Sequence, residues 1–282
     1  MIHPSNYDSF VTRNSGYISE EAQNRIRACK LLIAGCGIGS SPAICAARMG
    51  FEEFTLVDGD TVDIHNLNRQ FYEFSDIGRR KVDALKNQIL RINPEAKVNA
   101  LPIFLDDQNI DQLVKQSDVV FDTVDFLDLR AIMALHQSAS NHRVHILTAL
   151  STGFGALVWN FPPGSKITLI DILAGDLEKL AERDPSNEPS YADVFARFIQ
   201  RLAPYLDVDV VEQVARVLAL MKEGKPCPAS QVAVGSFAIG AMAMSMIHDQ
   251  LSNPESGCEP ELIIHSFKRH QTTRVTMESL RV

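Results

Sequence analysis

Short, mostly apolar segments alternate with amphipathic segments along the first 150 residues of the chain. The apolar runs predict strands at 31–34, 54–57, 97–103, 118–122 and 145–150. Between these runs, apolar positions recur every three to five residues and predict helices at about 19–28, 43–49, 75–92 and 127–140. Strands that are apolar nearly throughout and alternate with helices predict a parallel sheet covered by helices on both faces.

The pattern changes after residue 150. Strands are predicted at 156–160 and 166–171, as an antiparallel edge joined by a Pro-Pro-Gly turn. Amphipathic helices, interrupted by a polar stretch at 183–190, predict a helical insertion at about 172–226.

The last part of the chain combines one helix and one hairpin. An apolar helix is predicted at 228–251, followed by strands at 261–267 and 273–276. We therefore expect residues 1–282 to form a single α/β domain. Its sheet should be mostly parallel, with antiparallel end strands and the helical insertion.

Composition narrows the class of function. The 282 residues carry 27 Lys and Arg against 35 Asp and Glu, a net charge of −8, whereas dedicated nucleic-acid binders usually carry a basic surplus. Nucleic acid is therefore not expected as the main partner. The apolar stretch at 232–247 is shorter than a membrane span, and the N-terminus lacks the pattern of a secretory signal, so we expect a cytoplasmic protein.

Three glycines follow the first predicted strand, at Gly35, Gly37 and Gly39. A turn of this kind lets backbone N–H groups approach a phosphate. The G-x-G-x-x-G pattern is not met strictly, because Ser40 occupies the third glycine position. Asp58 ends the next strand, where a carboxylate can accept hydrogen bonds from ribose hydroxyls. This combination predicts a Rossmann-like nucleotide site; the alternative is tight packing at the turn and a solvated Asp58.

A set of polar residues follows at defined spacings: Asp58, Asp60, Asn66, Asn68, Arg69, Gln70, Lys81, Asp122 and Asp125. A nicotinamide dehydrogenase has no need for this set. The pattern resembles the ThiF/HesA/MoeB family, adenylate-forming proteins related to ubiquitin-activating enzymes. The resemblance covers about 13–150 and 227–251.

The resemblance implies a role for each matching residue. Asp58 would hold ribose, Asn66, Arg69 and Lys81 would bind the triphosphate, and Asp125 would bind Mg²⁺. ATP and Mg²⁺ are the implied ligands, with the remaining nucleotide contacts from Gly35, Gly37, Gly39, Asp60 and Gln70. Adenylate formation spreads negative charge over the phosphates, and Arg, Lys and Mg²⁺ are the cations that can stabilise it. Relatives with C-x-x-C pairs bind zinc; this chain has none, and zinc is not predicted.

For two of these residues, a purely structural role is the alternative to binding the triphosphate or the metal. Lys81 can belong to an exposed cationic face with Arg79, Arg80 and Lys86. Asp125 can cap the helix predicted from residue 127. The position after Asp125, often Asn in the family, is Phe126 here.

The segment around Arg13 is similar to the family's N-terminal segment, in which an arginine reaches the neighbouring subunit's nucleotide site. The resemblance therefore implies a homodimer with Arg13 acting in trans. The alternative is an exposed arginine without such a role.

Cys227 is the cysteine best placed for a thioester. The Pro228 that follows it predicts Cys227 as a helix N-cap, where the helix dipole and Lys225 would favour the thiolate. Its segment is similar to the one carrying the catalytic cysteine in the ubiquitin-fold-modifier branch; an inert cysteine is the alternative. Cys36 and Cys45 are predicted to be packing residues, and Cys29 and Cys258 lack supporting context.

The expected function is ATP-dependent adenylation of a C-terminal carboxylate. The resemblance implies that a ubiquitin-like protein, a sulfur-carrier protein or a peptide precursor supplies this carboxylate. A tRNA-modifying dehydratase of the same superfamily and a non-catalytic ATP-binding subunit are alternatives, and a nicotinamide oxidoreductase is a remote one.

Overall fold

Eight strands form one sheet in the computed structural model, which describes residues 7–125, 128–173, 191–223, 225, 230–254 and 259–280. In chain order the strands are β1 Lys30–Ala34, β2 Glu53–Val57, β3 Lys97–Leu101, β4 Val119–Asp122, β5 His145–Ser151, β6 Gly155–Phe161, β7 Glu261–Ser266 and β8 Gln271–Thr276. Their order in the sheet is β3-β2-β1-β4-β5-β6-β7-β8. The first five are parallel and the last three antiparallel, which confirms the predicted fold class.

The parallel half has a switch point between β1 and β4. From β1 the chain adds β2 and β3 on one side, and then returns to place β4 and β5 on the other. Leu31 pairs with Phe54 on one side and with Val119 on the other. Ligands of open α/β sheets bind outside the carboxyl ends of the strands at such a point. In this chain the glycine turn follows the carboxyl end of β1 and therefore lies at this switch point.

Helices cover both faces of the sheet. They are α1 Tyr7–Val11, α2 Glu20–Ala28, α3 Ser40–Met49, α4 Lys81–Ile92, α5 Ile110–Lys115, α6 Leu129–His142, α7 Tyr191–Leu202, α8 Val208–Lys222, α9 Ala233–Ser252 and α10 Met277–Leu280. Apolar side chains of α2, α3, α4 and α9 form the core on one face, and those of α5, α6 and α7 contribute to the core on the other. Two helices, α7 and α8, lie within residues 191–222 of the predicted insertion.

Local sequence explains where several helices begin and end. The hydroxyl of Ser19 accepts from the backbone N–H of Ala22 at 3.2 Å and caps α2. Gly50, with a φ of 101°, ends α3 in the left-handed conformation that glycine adopts most easily. Within the described residues, no helix has both the length and the hydropathy of a membrane span.

The strand predicted at 166–171 is wrong, because a helix begins there. Residues 169–173 are helical. The backbone N–H of Thr168 donates to Asp171 Oδ2 at 2.7 Å, and the N–H of Asp171 lies 3.4 Å from Thr168 Oγ1. These reciprocal bonds satisfy N–H groups at the helix start, as in a capping box. The antiparallel partners of β6 are β5 and β7.

Four helix starts also differ from the prediction, and one of them is that of α3, which begins at Ser40 and not at about residue 43. The helix expected from 228 begins at Ala233 with Val232 as its N-cap, so Cys227 is not the N-cap; Cys227 itself lies outside the described residues. α4 begins at Lys81 and is not capped by Ser75, since Gly78 adopts a φ of 83° and separates it from a short 3-10 helix, Phe74–Asp76. α6 begins at Leu129, two residues late.

Candidate active site

The glycine turn packs directly against the loop that follows β4. Gly35 has a φ of 90°, and a Cβ there would lie 2.6 Å from the carbonyl oxygen of Thr123. A Cβ on Gly39 would lie 2.1 Å from the carbonyl oxygen of Gly35. Real Cβ contacts are essentially never this short, so both positions require glycine. Gly39 therefore provides the close helix–strand packing expected from the third glycine of the pattern.

Ser40 uses its side chain where the pattern has a third glycine. Its hydroxyl donates to the carbonyl oxygen of Gly37 at 2.6 Å and accepts from the N–H of Phe71 at 2.9 Å. Ser40 thus fixes the turn and joins it to the segment at 66–71. Sequence analysis missed this role because the substitution looks like a loss from the glycine pattern.

Asp58 lies against the turn and is not solvated. Its side chain is 9% exposed. Asp58 Oδ2 accepts from the N–H of Cys36 at 2.8 Å, and Oδ1 accepts from the N–H of Asp60 at 2.8 Å. Each carboxylate oxygen has a second lone pair for a ligand hydroxyl. This position fits the ribose-binding role that the family resemblance implies.

Lys81 is buried at the first position of α4, with a side chain 9% exposed, so it is not part of an exposed cationic face. Its Nζ lies 2.8 Å from Asp60 Oδ2 and 4.0 Å from Asp58 Oδ2. Two carboxylates therefore balance the Lys81 charge in this structure. A phosphate would compete with them for the ammonium group.

The two amide side chains of the predicted site have different surroundings. Asn66 Oδ1 accepts from the N–H of Asp63 at 2.9 Å, so the oxygen serves the loop and a ligand would meet the amide nitrogen. Gln70 Oε1 is buried without a hydrogen-bond partner among the described residues. The Gln70 amide lies above Gly37, where a Cβ would be 3.2 Å from Nε2. A buried acceptor without a partner favours a ligand or a water at this position.

Arg69 is half-buried and is held by neutral oxygens. Its Nε donates to Gln231 Oε1 at 2.5 Å, and its Nη1 donates to the His65 carbonyl at 2.7 Å and to Asn68 Oδ1 at 2.9 Å. Burial lowers the pKa of Arg69, which still leaves a guanidinium charged at neutral pH. These bonds orient the charge without cancelling it, as an anion site requires.

Asp125 is exposed and lies three residues beyond the end of β4, in the loop whose Thr123 packs against the glycine turn. It does not cap α6; that role belongs to Asp128, whose Oδ1 accepts from the N–H of Ala131 at 3.1 Å. Within the described residues, no three acidic, histidine or cysteine side chains form a metal cluster. Mg²⁺ commonly takes one or two protein carboxylates together with waters and phosphates, so a single exposed Asp125 fits this ion.

Comparison with known proteins identifies the family. Residues 11–278 match the ThiF family model. The chain belongs to the ThiF family. It is 33% identical over 150 residues to a probable molybdopterin-synthase adenylyltransferase of Gracilaria tenuistipitata var. liui, covering 52% of the chain and 42% of the relative. It is 37% identical over 117 residues to the tRNA threonylcarbamoyladenosine dehydratase of Bacillus subtilis, covering 40% and 46%. The chain thus spans less than half of these relatives.

Solved structures show the same fold. The crystal structure of Escherichia coli MccB with MccA-N7isoASN has a TM-score of 0.68 at 17% identity and covers 97% of this chain and 73% of MccB. The crystal structure of PaaA has a TM-score of 0.67 at 18% identity, covering 96% of this chain and 79% of PaaA. At these identities the likeness concerns the fold alone.

In this ThiF-family chain, Arg13 lies away from the glycine turn. Asn14 follows Arg13 in the sequence, and its Nδ2 donates to the carbonyl oxygen of Met49 at 3.2 Å. Met49 is the last residue of α3, whereas the glycine turn precedes the first. Ten helical residues span about 15 Å. Arg13 therefore does not join the site of its own chain, and its predicted role in a partner's site stays a prediction.

The described cysteines of this ThiF-family chain are packing residues. Burial raises the pKa of Cys29 to about 12, and it also raises the pKa of Cys36 and Cys45. A thiol nucleophile needs the thiolate, which these surroundings disfavour. Cys227 and Cys258 lie outside the described residues.

A buried polar network behind the site was missed by sequence analysis. Asp122 Oδ1 accepts from the N–H of Val124 at 3.1 Å, and Oδ2 accepts from Thr148 Oγ1 at 2.9 Å. His136 Nε2 lies 2.7 Å from the same hydroxyl. The network shapes the loop that carries Asp125. Its members come from β4, β5 and α6, so no local pattern could predict it.

Proposed function

We propose that this chain uses ATP and Mg²⁺ to adenylate a C-terminal carboxylate, with release of pyrophosphate. Its main support is the convergence at one sheet edge of a glycine turn, the half-buried Asp58, the half-buried Arg69 and the buried Lys81. Several relatives are named adenylyltransferases, and one of the solved structures is that of Escherichia coli MccB with ATP.

The chemistry suits these residues. A carboxylate oxygen attacks the α-phosphorus, the bond to the bridging oxygen breaks, and pyrophosphate leaves with the electron pair. Arg69 and Lys81 would stabilise the negative charge that develops on the leaving group. Mg²⁺, held by Asp125, would supply further neutralisation of phosphate charge when bound. Asp58 and the turn would hold the nucleoside and orient the α-phosphate.

The proposed substrate is the C-terminal carboxylate of a ubiquitin-like or sulfur-carrier protein, or of a peptide precursor, in the cytoplasm. Molybdopterin-synthase adenylyltransferases among the relatives and the solved structure of MccB with MccA support this class. Nucleotide product analysis with a carrier protein and a peptide tests the reaction type. AMP and pyrophosphate are expected, whereas ADP and phosphate would contradict adenylation.

Arg13 is proposed to complete the site of a second copy in a homodimer. In the family, the corresponding arginine reaches the nucleotide of the neighbouring subunit. A role in a second copy would explain why Arg13 lies at the end of α3 that is far from the glycine turn of its own chain. Mixing Arg13→Ala chains with Arg69→Ala chains tests this role in trans. In each mixed dimer, the site of the Arg13→Ala chain keeps its own Arg69 and receives Arg13 from the other chain, so one site is intact. Restored activity is expected; two inactive variants that do not complement each other would contradict the trans role.

Cys227 is proposed to receive the acyl group after adenylation: its thiolate attacks the carbonyl carbon of the acyl adenylate, a thioester forms, and AMP leaves. Cys227→Ala should then keep ATP–pyrophosphate exchange, which precedes transfer, and lose a thiol-sensitive adduct with the carrier. If product formation persists in this variant, the adenylate itself is the species delivered. The same assay thus separates the two mechanisms.

A second candidate is dehydration of a tRNA base, favoured by the Bacillus subtilis relative at 37% identity. The net charge of −8 gives little electrostatic support for RNA binding. A tRNA shift assay over a range of salt concentrations decides between them. Salt-sensitive tRNA binding would favour the dehydratase.

A further inference from the structure

We propose that Gln231 is a positioning residue for Arg69. Gln231 orients the Arg69 side chain so that the full guanidinium charge faces the triphosphate. The inference rests on the proposed use of ATP at this site. Gln231 lies 162 residues from Arg69 in sequence, yet its Oε1 accepts from Arg69 Nε at 2.5 Å. Its carbonyl oxygen also accepts from Asn68 Nδ2 at 3.0 Å. One residue therefore binds two consecutive side chains of the cation segment, residues 66–71.

The chemical type of the acceptors matters. Several other arginines of the described residues face carboxylates, for example Arg27 with Glu52 at 2.8 Å. Arg69 is bonded instead to two side-chain amides and one peptide carbonyl. Neutral acceptors satisfy N–H groups of a half-buried guanidinium and leave its charge for an anion, whereas a carboxylate would offset that charge.

Gln231 is itself held at a fixed place relative to the glycine turn. It lies two residues before α9, and Ser41 Oγ of α3 donates to the carbonyl oxygen of Ser236 at 2.5 Å. A Cβ on Gly240 would lie 2.4 Å from Ser41 Oγ, so α9 and the helix after the turn are in close contact. The rings of Phe71 and Phe237 lie 4.7 Å apart and add a second link between α9 and the cation segment.

The hydrogen bonds leave one edge of the guanidinium for a ligand. Those within the described residues engage Nε and Nη1 of Arg69 and leave Nη2 without such a bond. A guanidinium oriented before the ligand binds loses less side-chain freedom on binding than a mobile one. Gln231 would thus improve binding of ATP without touching it.

Equilibrium binding of ATP and of AMP to variants of Gln231, beside a control variant, tests this role. Gln231→Ala should weaken ATP binding by about tenfold, the value of one hydrogen bond to a charged group. AMP lacks the β- and γ-phosphates, so its affinity should change little. Gln137→Ala, an exposed glutamine of α6, is the matched control and should bind ATP as the unaltered chain does.

Gln231→Glu separates charge from position. The carboxylate would still hold Arg69 but would offset its charge, so ATP binding should fall at least as far as in Gln231→Ala. In an Arg69→Ala background, Gln231→Ala should add no further loss. ATP affinity unchanged by Gln231→Ala, an equal loss for AMP, or normal ATP affinity in Gln231→Glu would each overturn the inference. ATP binding by the unaltered chain separately tests the proposed function.

Discussion

The two sides of the candidate site are built in different ways. On the turn side, backbone atoms of Gly35, Gly39 and Thr123 approach more closely than any Cβ would allow. On the cation side, Arg69 and Lys81 are long side chains held by hydrogen bonds. The turn side is therefore a rigid shape, whereas the cation side depends on partners that can be changed one at a time.

The two cations also differ from each other. Lys81 faces Asp60 and Asp58, and a phosphate must replace or share these carboxylates. Arg69 faces neutral oxygens and needs no exchange of charged partners. The contribution of a buried or half-buried cation to an anion site therefore depends on the groups that already balance its charge.

The largest effect is expected from Gly39→Ala on the turn side. The new Cβ would lie 2.1 Å from the Gly35 carbonyl, so the turn must move. Overpacking of this kind costs roughly 1–3 kcal/mol of stability, and ATP binding should be lost. Thermal unfolding and ATP titration measure both effects. In Gly37→Ala the Cβ meets only the flexible Gln70 amide, so stability should be kept; equal destabilisation of the two variants would contradict the rigid-turn account.

Asp125→Ala should abolish Mg²⁺-dependent adenylation while leaving the fold intact. The side chain is exposed, so its removal costs little packing. A Mg²⁺ titration of exchange activity, together with circular dichroism, measures the result. Asp107→Ala is the control, since Asp107 pairs with Arg130 at an exposed position. Retained exchange in Asp125→Ala would remove Asp125 from the site.

Arg69→Ala and Lys81→Ala should each lower exchange by about 10²-fold, the usual loss when one electrostatic stabiliser is removed. Lys81→Ala should be the less stable of the two variants, because it leaves the carboxylates of Asp58 and Asp60 without their shared cation. Arg69→Ala leaves only neutral hydrogen-bond acceptors without their donor. Thermal unfolding beside the exchange assay measures both effects. An activity loss below tenfold would place these cations outside the reaction.

Ser40→Ala should have the smallest effect of this series. It removes two hydrogen bonds, one within the glycine turn, to the carbonyl oxygen of Gly37, and one that joins the turn to Phe71 in the segment at 66–71. A stability loss of about 1 kcal/mol is expected, with a several-fold rise in KM for ATP and little change in kcat. Ser245→Ala, whose hydroxyl donates only within α9, is the control. A loss in kcat alone would indicate a different role for Ser40.

The fold was predicted best where the pattern is local. The strands at 31–34 and 54–57 are apolar runs with helical periodicity between them, and the turn and Asp58 follow from their spacing. The strand prediction at 166–171 failed because Ile167 and Leu169 alternate with polar residues as in a strand, whereas the reciprocal bonds of Thr168 with Asp171 start a helix. A cap can thus override the pattern of hydrophobic positions.

Most of the candidate site was predicted from residues that share one segment. Asp58, Arg69, Lys81 and the glycines fall within 47 residues of sequence, counted from Gly35 to Lys81, and follow a known order. Gln231 reaches Arg69 from 162 residues away, and a single glutamine before an apolar helix carries no local pattern. Partners of this kind are found from tertiary structure alone.

Substrate-dependent ATP–pyrophosphate exchange is the sharpest test of whether the chain adenylates a carboxylate. The assay compares a carrier protein or peptide ending in a free carboxylate with the same molecule amidated at its C-terminus, for the unaltered chain and for Arg69→Ala. Exchange is predicted only with the free carboxylate and should fall about 10²-fold in Arg69→Ala. Exchange that is unaffected by amidation, or ATP turnover to ADP and phosphate, would contradict adenylation of a C-terminal carboxylate.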